Sequence, residues 1–238
     1  MRQLVVIPTY NERENIEALV PEILRLVPPH VDILVVDDSS PDGTAEVVQS
    51  MKNQGHRVNL LLRSKKEGLG RAYIAGFRWG LENKYQTLVE MDADFSHRPQ
   101  DLVKILEAAQ QKDFVVGSRY TPGGGTINWG LLRKLISRGG SLYSRIILGH
   151  PLQDWTGGFN AWNRQVLETM GLDNIQSNGY SFQIELKYRA LSLGFKGQEV
   201  PILFEDRRVG QSKMSLKIVL EAFYRVWLIR KAINSKNK

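Results

Sequence analysis

Cysteine is absent from the 238-residue chain, which excludes disulfide frameworks, thiolate metal sites and cysteine nucleophiles together. Long apolar runs are missing too. No stretch approaches the roughly 18 residues that a membrane span requires. The start, MRQLVVIPTYNERE, meets charge too soon for a signal peptide, so a cytoplasmic chain is the expectation. Pro8-Thr9-Tyr10 stand after the first apolar run, where a dinucleotide-binding turn needs glycines, and no Walker-type Gly-Lys-Ser/Thr is found; a dinucleotide oxidoreductase of the usual kind is disfavoured. The 21 glycines and nine prolines show no period and argue against collagen-like or low-complexity sequence.

What is present suffices for a core. With 42% hydrophobic and 24% charged residues, the length buries one large domain or two small ones. The formal charge of +7 is unevenly placed: residues 207–238 hold nine Lys or Arg and one acid, Glu221, whereas the remainder holds 23 basic and 24 acidic residues. Residues 114–153 contain Arg119, Arg133, Lys134, Arg138 and Arg145 and no acid. Nucleic acid, an anionic membrane surface and a phosphorylated substrate all fit such local excess, and charge alone does not separate them.

Apolar runs rich in β-branched residues at 4–7, 33–36, 58–62, 87–91 and 114–116 read as buried parallel strands. Between them, sets such as Ile16, Leu19, Val20, Ile23, Leu24, Val27 and Leu102, Val103, Ile105, Leu106, Ala109 follow the spacing of one-sided helices. This alternation builds a βαβ sheet. Asn11 with Glu14 has capping-box spacing, and Ser40-Pro41 offers a cap before a helix. After Tyr120 the alternation stops, and TPGGGTINWG reads as a glycine-rich loop of low intrinsic order. From Leu131, a helical projection places Leu131, Leu132, Leu135, Ile136, Leu142, Ile146 and Ile147 on one side, opposite Lys134, Arg138, Ser141 and Arg145. That basic amphipathic helix is expected to weaken at Gly139-Gly140. Residues 200–204 read as a final strand and 215–233 as a closing helix, with Phe223, Trp227 and Ile233 as candidates to enter a membrane interface.

Ligands of open α/β sheets bind beyond the carboxyl ends of the strands. Three such ends are acidic or polar: Pro8-Thr9-Tyr10-Asn11-Glu12, Asp37-Asp38-Ser39-Ser40-Pro41-Asp42 and Asp92-Ala93-Asp94. Carboxylates gathered on one rim raise one another's pKa or demand a cation. Asp92 and Asp94, two apart on an extended segment, share a side and suit a hard ion such as Mg²⁺, with substrate phosphates filling its other positions. Arg63, Lys65, Lys66 and Gly68 follow the third strand and offer positive charge and close backbone approach. Asp154 is the one carboxylate placed to act as a general base should the acceptor be a hydroxyl. Trp155, Phe159 and Trp162 are assigned to the core.

Taken together, IPTYNERENI, VVDDSSPDGT, RSKKEGLGRAYIAGF, MDADFSHRP, VVGSRY, NWGLLRKLISRGG and FEDRRVGQSKM resemble glycosyltransferase family 2, specifically the dolichol-phosphate (polyprenol-phosphate) mannosyltransferases. The resemblance implies an α/β fold, a single nucleotide-diphosphosugar transferase domain (GT-A, Rossmann-like) over residues 1–205 with a mostly parallel central sheet, followed by a basic amphipathic segment at 206–238. It implies GDP-mannose with Mg²⁺ or Mn²⁺ at the strand ends, and a polyprenyl phosphate acceptor at the inner face of a membrane. A separate membrane-spanning partner protein stays open, and nucleic acid is not expected as a partner. Pro8, Tyr10, Glu12, Asp37 or Asp38, Arg63 and Gly68 would surround the nucleotide sugar, and Asp92 and Asp94 would hold metal and diphosphate. Arg119, Arg133, Ser137, Arg207 and Lys213 would serve the acceptor phosphate, with Asp92, Asp94, Arg119 and Lys213 carrying the chemistry. Some relatives place glutamine where Ser96 stands. Rival readings are the same fold with another nucleotide sugar, such as UDP-glucose, or a hydroxyl acceptor, and a non-catalytic adaptor that binds nucleic acid.

Overall fold

The computed structural model describes residues 1–206 and 216–234. In chain order the elements are β1 (Gln3–Thr9), α1 (Arg13–Leu26), β2 (Val31–Asp37), α2 (Thr44–Asn53), β3 (Val58–Leu62), α3 (Leu69–Glu82), β4 (Thr87–Glu90), α4 (Pro99–Ala108), β5 (Phe114–Ser118), β6 (Gly125–Ile127), α5 (Leu131–Leu148), β7 (Asn160–Asn163), α6 (Arg164–Met170), α7 (Tyr180–Ser192), β8 (Gly197–Pro201), β9 (Leu203–Glu205) and α8 (Leu216–Asn234). Seven strands form one sheet in the order β3-β2-β1-β4-β7-β5-β8. All neighbours are parallel except β7, which runs antiparallel between β4 and β5.

Side-chain alternation along β1 explains the layering. Leu4 and Val6 join α3, α6, α7 and the buried side of α8 on one face, whereas Val5 and Ile7 join α1, α2 and α4 on the other. Each fully buried Val, Leu, Ile or Phe contributes roughly 1.5–3 kcal/mol, so two-faced burial fixes the register of the parallel strands. Helix α3 lies especially close, because a Cβ at Gly76 would strike Val6 and one at Gly80 would strike Leu88. Parallel strands β1–β5 then deliver their carboxyl ends to one rim.

Five local expectations change. The apolar stretch 200–204 is split: Ile202 donates its N–H to Ser118 O at 3.1 Å and accepts from Gly125 N at 2.9 Å, so β8 pairs with β5 and β9 leaves to pair with β6. The glycine-rich stretch after Tyr120 therefore contains a strand. Helix α5 runs unbroken through Gly139-Gly140, and both glycines face open space. The capping box of Asn11 with Glu14 does not form. Instead the next loop caps α1: Asp42 Oδ2 accepts from Arg13 N at 3.1 Å, Thr44 Oγ1 from Glu12 N at 3.2 Å, and Ser40 Oγ from Asn11 N at 2.9 Å. Helix α2 accordingly starts at Thr44, after Gly43 at φ +87°, and not at Ser40-Pro41.

Candidate active site

Backbone strain marks the rim. Among the described residues, non-glycine residues with positive φ include Asn11 (61°) after β1, Ser39 (56°) after β2 and Phe95 (62°) after β4. Such conformations cost on the order of 1–3 kcal/mol each and gather where loops serve ligands.

The ends of β1, β2 and β3 form the first wall. Asp37 is fully buried and accepts from Thr9 Oγ1 at 2.8 Å, Ser40 Oγ at 2.6 Å and Ser40 N at 2.8 Å. These bonds tie the first two loops together. Asp38 pairs with Arg63 at 2.8 Å, and Arg63 reaches Glu67 at 2.7 Å. Burial pushes the Asp38 carboxyl up against the pull of Arg63, and Asp37 adds to the rise. Lys66 lies 3.7 Å over the exposed Tyr10 ring. Pro8 ends the buried run of β1 half-exposed, Glu12 accepts from Asn15 Nδ2 at 2.7 Å, and Gly68 enters α3 at φ +100°. Tyr10, Asp38, Arg63, Lys66 and Gly68 thus belong to adjoining loops.

Asp92 and Asp94 follow β4 on the other side of β1, half-buried. With strands about 4.8 Å apart, their loop lies about 10 Å from the end of β2. Tyr73 Oη donates to Asp92 Oδ1 at 3.0 Å, and Ser96 N donates to Asp94 Oδ1 at 3.1 Å. Burial, with Asp92 and Glu90 close by, pushes the Tyr73 phenol well above its ordinary range, so it remains a donor. Among the described residues no cluster of three or more His, Asp or Glu side chains gathers to hold a metal. Two hard carboxylates on a rim nevertheless fit a divalent ion whose other ligands are water and phosphate. The Ser96 Oγ is buried and has no hydrogen-bond partner among the described residues.

The second wall rises from β5, α5 and β9. Arg119 grips Asp154 through Nε and Nη2, both at 2.7 Å, and its backbone N–H adds a third bond at 3.0 Å. Both side chains are buried. Burial alone would raise the Asp154 carboxyl, but Arg119 and Lys187 hold it at about 2. Fully buried, with both oxygens claimed by Arg119, Asp154 is not placed to reach a substrate hydroxyl. Arg119, expected to meet an acceptor phosphate, is directed at Asp154 and contributes to the wall from behind. Arg133 bonds Asp206 at 2.6 Å and stacks 3.9 Å over Trp129, and Ser137 accepts from Tyr120 Oη at 2.7 Å. Arg207 and Lys213 lie outside the described residues.

His97 joins the two walls. Its ring stacks on Phe159 at 4.6 Å and meets Phe204 edge-on at 5.3 Å, and Glu205 N donates to Ser96 O at 3.2 Å. The acidic loop after β4 and the cationic cluster by β9 are therefore one continuous structure.

Comparison with known proteins matches residues 4–171 to the family model described as Glycosyl transferase family 2. The chain belongs to glycosyl transferase family 2. Curated relatives agree along nearly the whole length of this glycosyltransferase: 50% identity over 95% of the chain and 93% of the undecaprenyl-phosphate mannosyltransferase of Micrococcus luteus, and 47% over 96% of the chain and 88% of the polyprenol monophosphomannose synthase of Mycolicibacterium smegmatis. Among solved structures, glucosyl-3-phosphoglycerate synthase from Mycobacterium tuberculosis, in complex with Mn²⁺, UDP and glucosyl-3-phosphoglycerate, aligns with TM-score 0.65 at 20% identity, over 96% of this chain and 78% of that one. The mannosyltransferase PcManGT from Pyrobaculum calidifontis, in complex with GDP-Man and Mn²⁺, aligns with TM-score 0.64 at 18% identity, over 98% and 64%. At such identities these two establish the α/β, mostly parallel GT-A-like fold. The glycosyltransferase also uses side chains that motif reading passed over. Tyr73, in the middle of an apolar helix, orients Asp92. Lys187, buried on α7, donates to the carbonyls of Asp154, Trp155 and Gly157 at 3.0, 3.3 and 2.8 Å. The signal available for Lys187 was a basic residue one helical turn from Ile184, Ala190 and Leu191.

Proposed function

We propose that this glycosyltransferase moves mannose from GDP-mannose, with inversion, onto the phosphate of a polyprenyl lipid at the inner face of a membrane. The observation that carries the reading is the inverted burial of α5. Ser137, Ser141 and Ser144 pack inward, with Ser141 Oγ accepting from Trp155 N at 3.2 Å, while Leu131 is 81%, Leu135 73% and Ile146 69% exposed. A water-facing helix would do the reverse. Lys134, Arg138 and Arg145 are exposed beside these side chains, as suits an interfacial helix at anionic head groups. Helix α8 continues the surface: Tyr143 packs on Phe223 at 4.3 Å, and Tyr224, Trp227 and Leu228 are exposed. Ile233 is buried in the core, so of the expected interface residues on α8 it is the one withdrawn. Among the described residues no helix is long and apolar enough to cross a membrane.

Arg133 and Ser137, one turn apart, stand on the same helix that exposes the leucines, so a phosphate entering from the lipid side meets them first. A phosphate monoester has a second pKa of about 6 and attacks without a base, which agrees with a site whose buried Asp154 has both oxygens claimed by Arg119. At the donor end Asp92 and Asp94 would hold a Mg²⁺ or Mn²⁺ ion. Such an ion, when bound, neutralises charge on the departing diphosphate. Tyr10, Asp38, Arg63 and Gly68 line the loops where the nucleoside would lie. The names of the two curated relatives support mannose and a polyprenyl phosphate, and Arg207 and Lys213 are assigned to the acceptor phosphate on motif alone.

The test is incubation with radiolabelled GDP-mannose, Mg²⁺ or Mn²⁺ and polyprenyl phosphate, followed by organic partition. Label is expected in the lipid phase. Label that stays aqueous rejects the lipid acceptor, and faster transfer from UDP-glucose rejects the donor.

A further inference from the structure

Trp129 lies between β6 and α5, 8% exposed, and its indole Nε1–H is buried with no hydrogen-bond partner among the described residues. Stranding such a donor costs about 1–3 kcal/mol, and in a native fold it calls for a cause. Trp155 likewise has an indole N–H with no partner among the described residues, but it sits fully buried in the apolar core. The surroundings of Trp129 are different. The Arg133 guanidinium covers its ring at 3.9 Å, and that of Arg119 lies 5.5 Å from the ring centre. Phe204 meets it edge-on at 5.3 Å, which fixes the ring, and Asn128 before it has φ +61°. An aromatic ring is negative on its face and positive at its edge. With a cation already on the face, the N–H edge is suited to an anion, and the Arg133 guanidinium, paired with Asp206 at 2.6 Å, lies beside it.

We propose that Trp129 is a further ligand of the acceptor phosphate: its indole N–H donates to a phosphate-monoester oxygen whose charge Arg133 neutralises. The inference rests on reading this wall as the acceptor-phosphate site. It gives the NWG element a chemical task beyond turning the chain into α5. An uncharged, rigid donor fixes the direction of the phosphate while Arg133 supplies attraction, so the attacking oxygen is presented in one orientation.

The experiment compares the full-length enzyme with Trp129→Phe, which keeps the ring and removes only the N–H. With detergent-solubilised polyprenyl phosphate, KM for the lipid is expected to rise about tenfold, a change of about 1.4 kcal/mol, at unchanged GDP-mannose KM and unchanged melting temperature. A lipid KM equal to wild type, or a rise confined to GDP-mannose, overturns the proposal. A second measurement needs no variant. Among the five indole N–H resonances of the wild-type protein, that of Trp129 is expected to move downfield on titration with farnesyl phosphate and less with inorganic phosphate. No movement with either overturns it. Both readouts are separable from failure of the proposed function: an enzyme that transfers nothing to any polyprenyl phosphate sinks the function, whereas an active enzyme insensitive to Trp129→Phe sinks only this inference.

Discussion

The Nδ1 atom of His97 accepts the backbone N–H of Asp92 at 2.9 Å. The imidazole therefore carries a lone pair on Nδ1, and it orders the acidic loop from beneath while stacked on Phe159. His97→Phe keeps the stack and strands the Asp92 N–H. The expected result is a loss of about 1–3 kcal/mol in urea unfolding and at least a tenfold fall in kcat; wild-type kcat in a folded variant would remove His97 from the site.

Asp92 and Asp94 are half-buried, so Asp92→Asn and Asp94→Asn should shift unfolding by about 0.5 kcal/mol or less. Transfer should fall about 100-fold or more in each. Chelation of divalent ions should abolish wild-type transfer, and Mg²⁺ or Mn²⁺ should restore it. Activity that survives chelation would separate these carboxylates from any cation.

Asp154 carries a pH signature. Its carboxyl is lowered from 3.8 to about 2 in the fold, so the fold binds its proton less readily than the unfolded chain does. The resulting stability is fully present above about pH 4 and is lost as pH falls towards 2. Asp154→Asn should flatten that part of a stability–pH profile, and at neutral pH it should cost about 3–5 kcal/mol by leaving Arg119 buried without its anion. In the wild type, the pH–rate profile should show no limb from Asp154 between pH 5 and 9.

Leu135→Glu with Ile146→Glu changes only exposed positions, so the melting temperature should hold. Partition onto vesicles containing anionic lipid should fall tenfold or more. Unaltered partition would detach α5 from the bilayer.

The sheet was legible because β-branched runs two-faced in burial leave few alternatives, and the acidic strand ends follow from where such runs stop. The exception at residues 200–204 is instructive: a run of five apolar or neutral residues does not say that Ile202 must bond to Ser118 and turn the chain into another sheet. The partners of the site residues were less legible. Arg119 and Asp154 are 35 residues apart, and nothing local announces that a buried pair will claim both charges. Asn11 and Glu14 had the right spacing for a cap, but Ser40, Asp42 and Thr44 from the neighbouring loop reach those amides first. Helix α5 was read correctly as amphipathic. That its serines would face inward could not be read from periodicity, which reports two sides and not which one meets the protein.

A helix anchored by hydroxyls and turning leucines outward has a practical outcome at the bench. In buffer free of lipid, those side chains and the neighbouring Tyr224 and Trp227 have only each other to cover them. Purified enzyme should self-associate as concentration rises, and a mild detergent above its micellar threshold should return it to a smaller, uniform species.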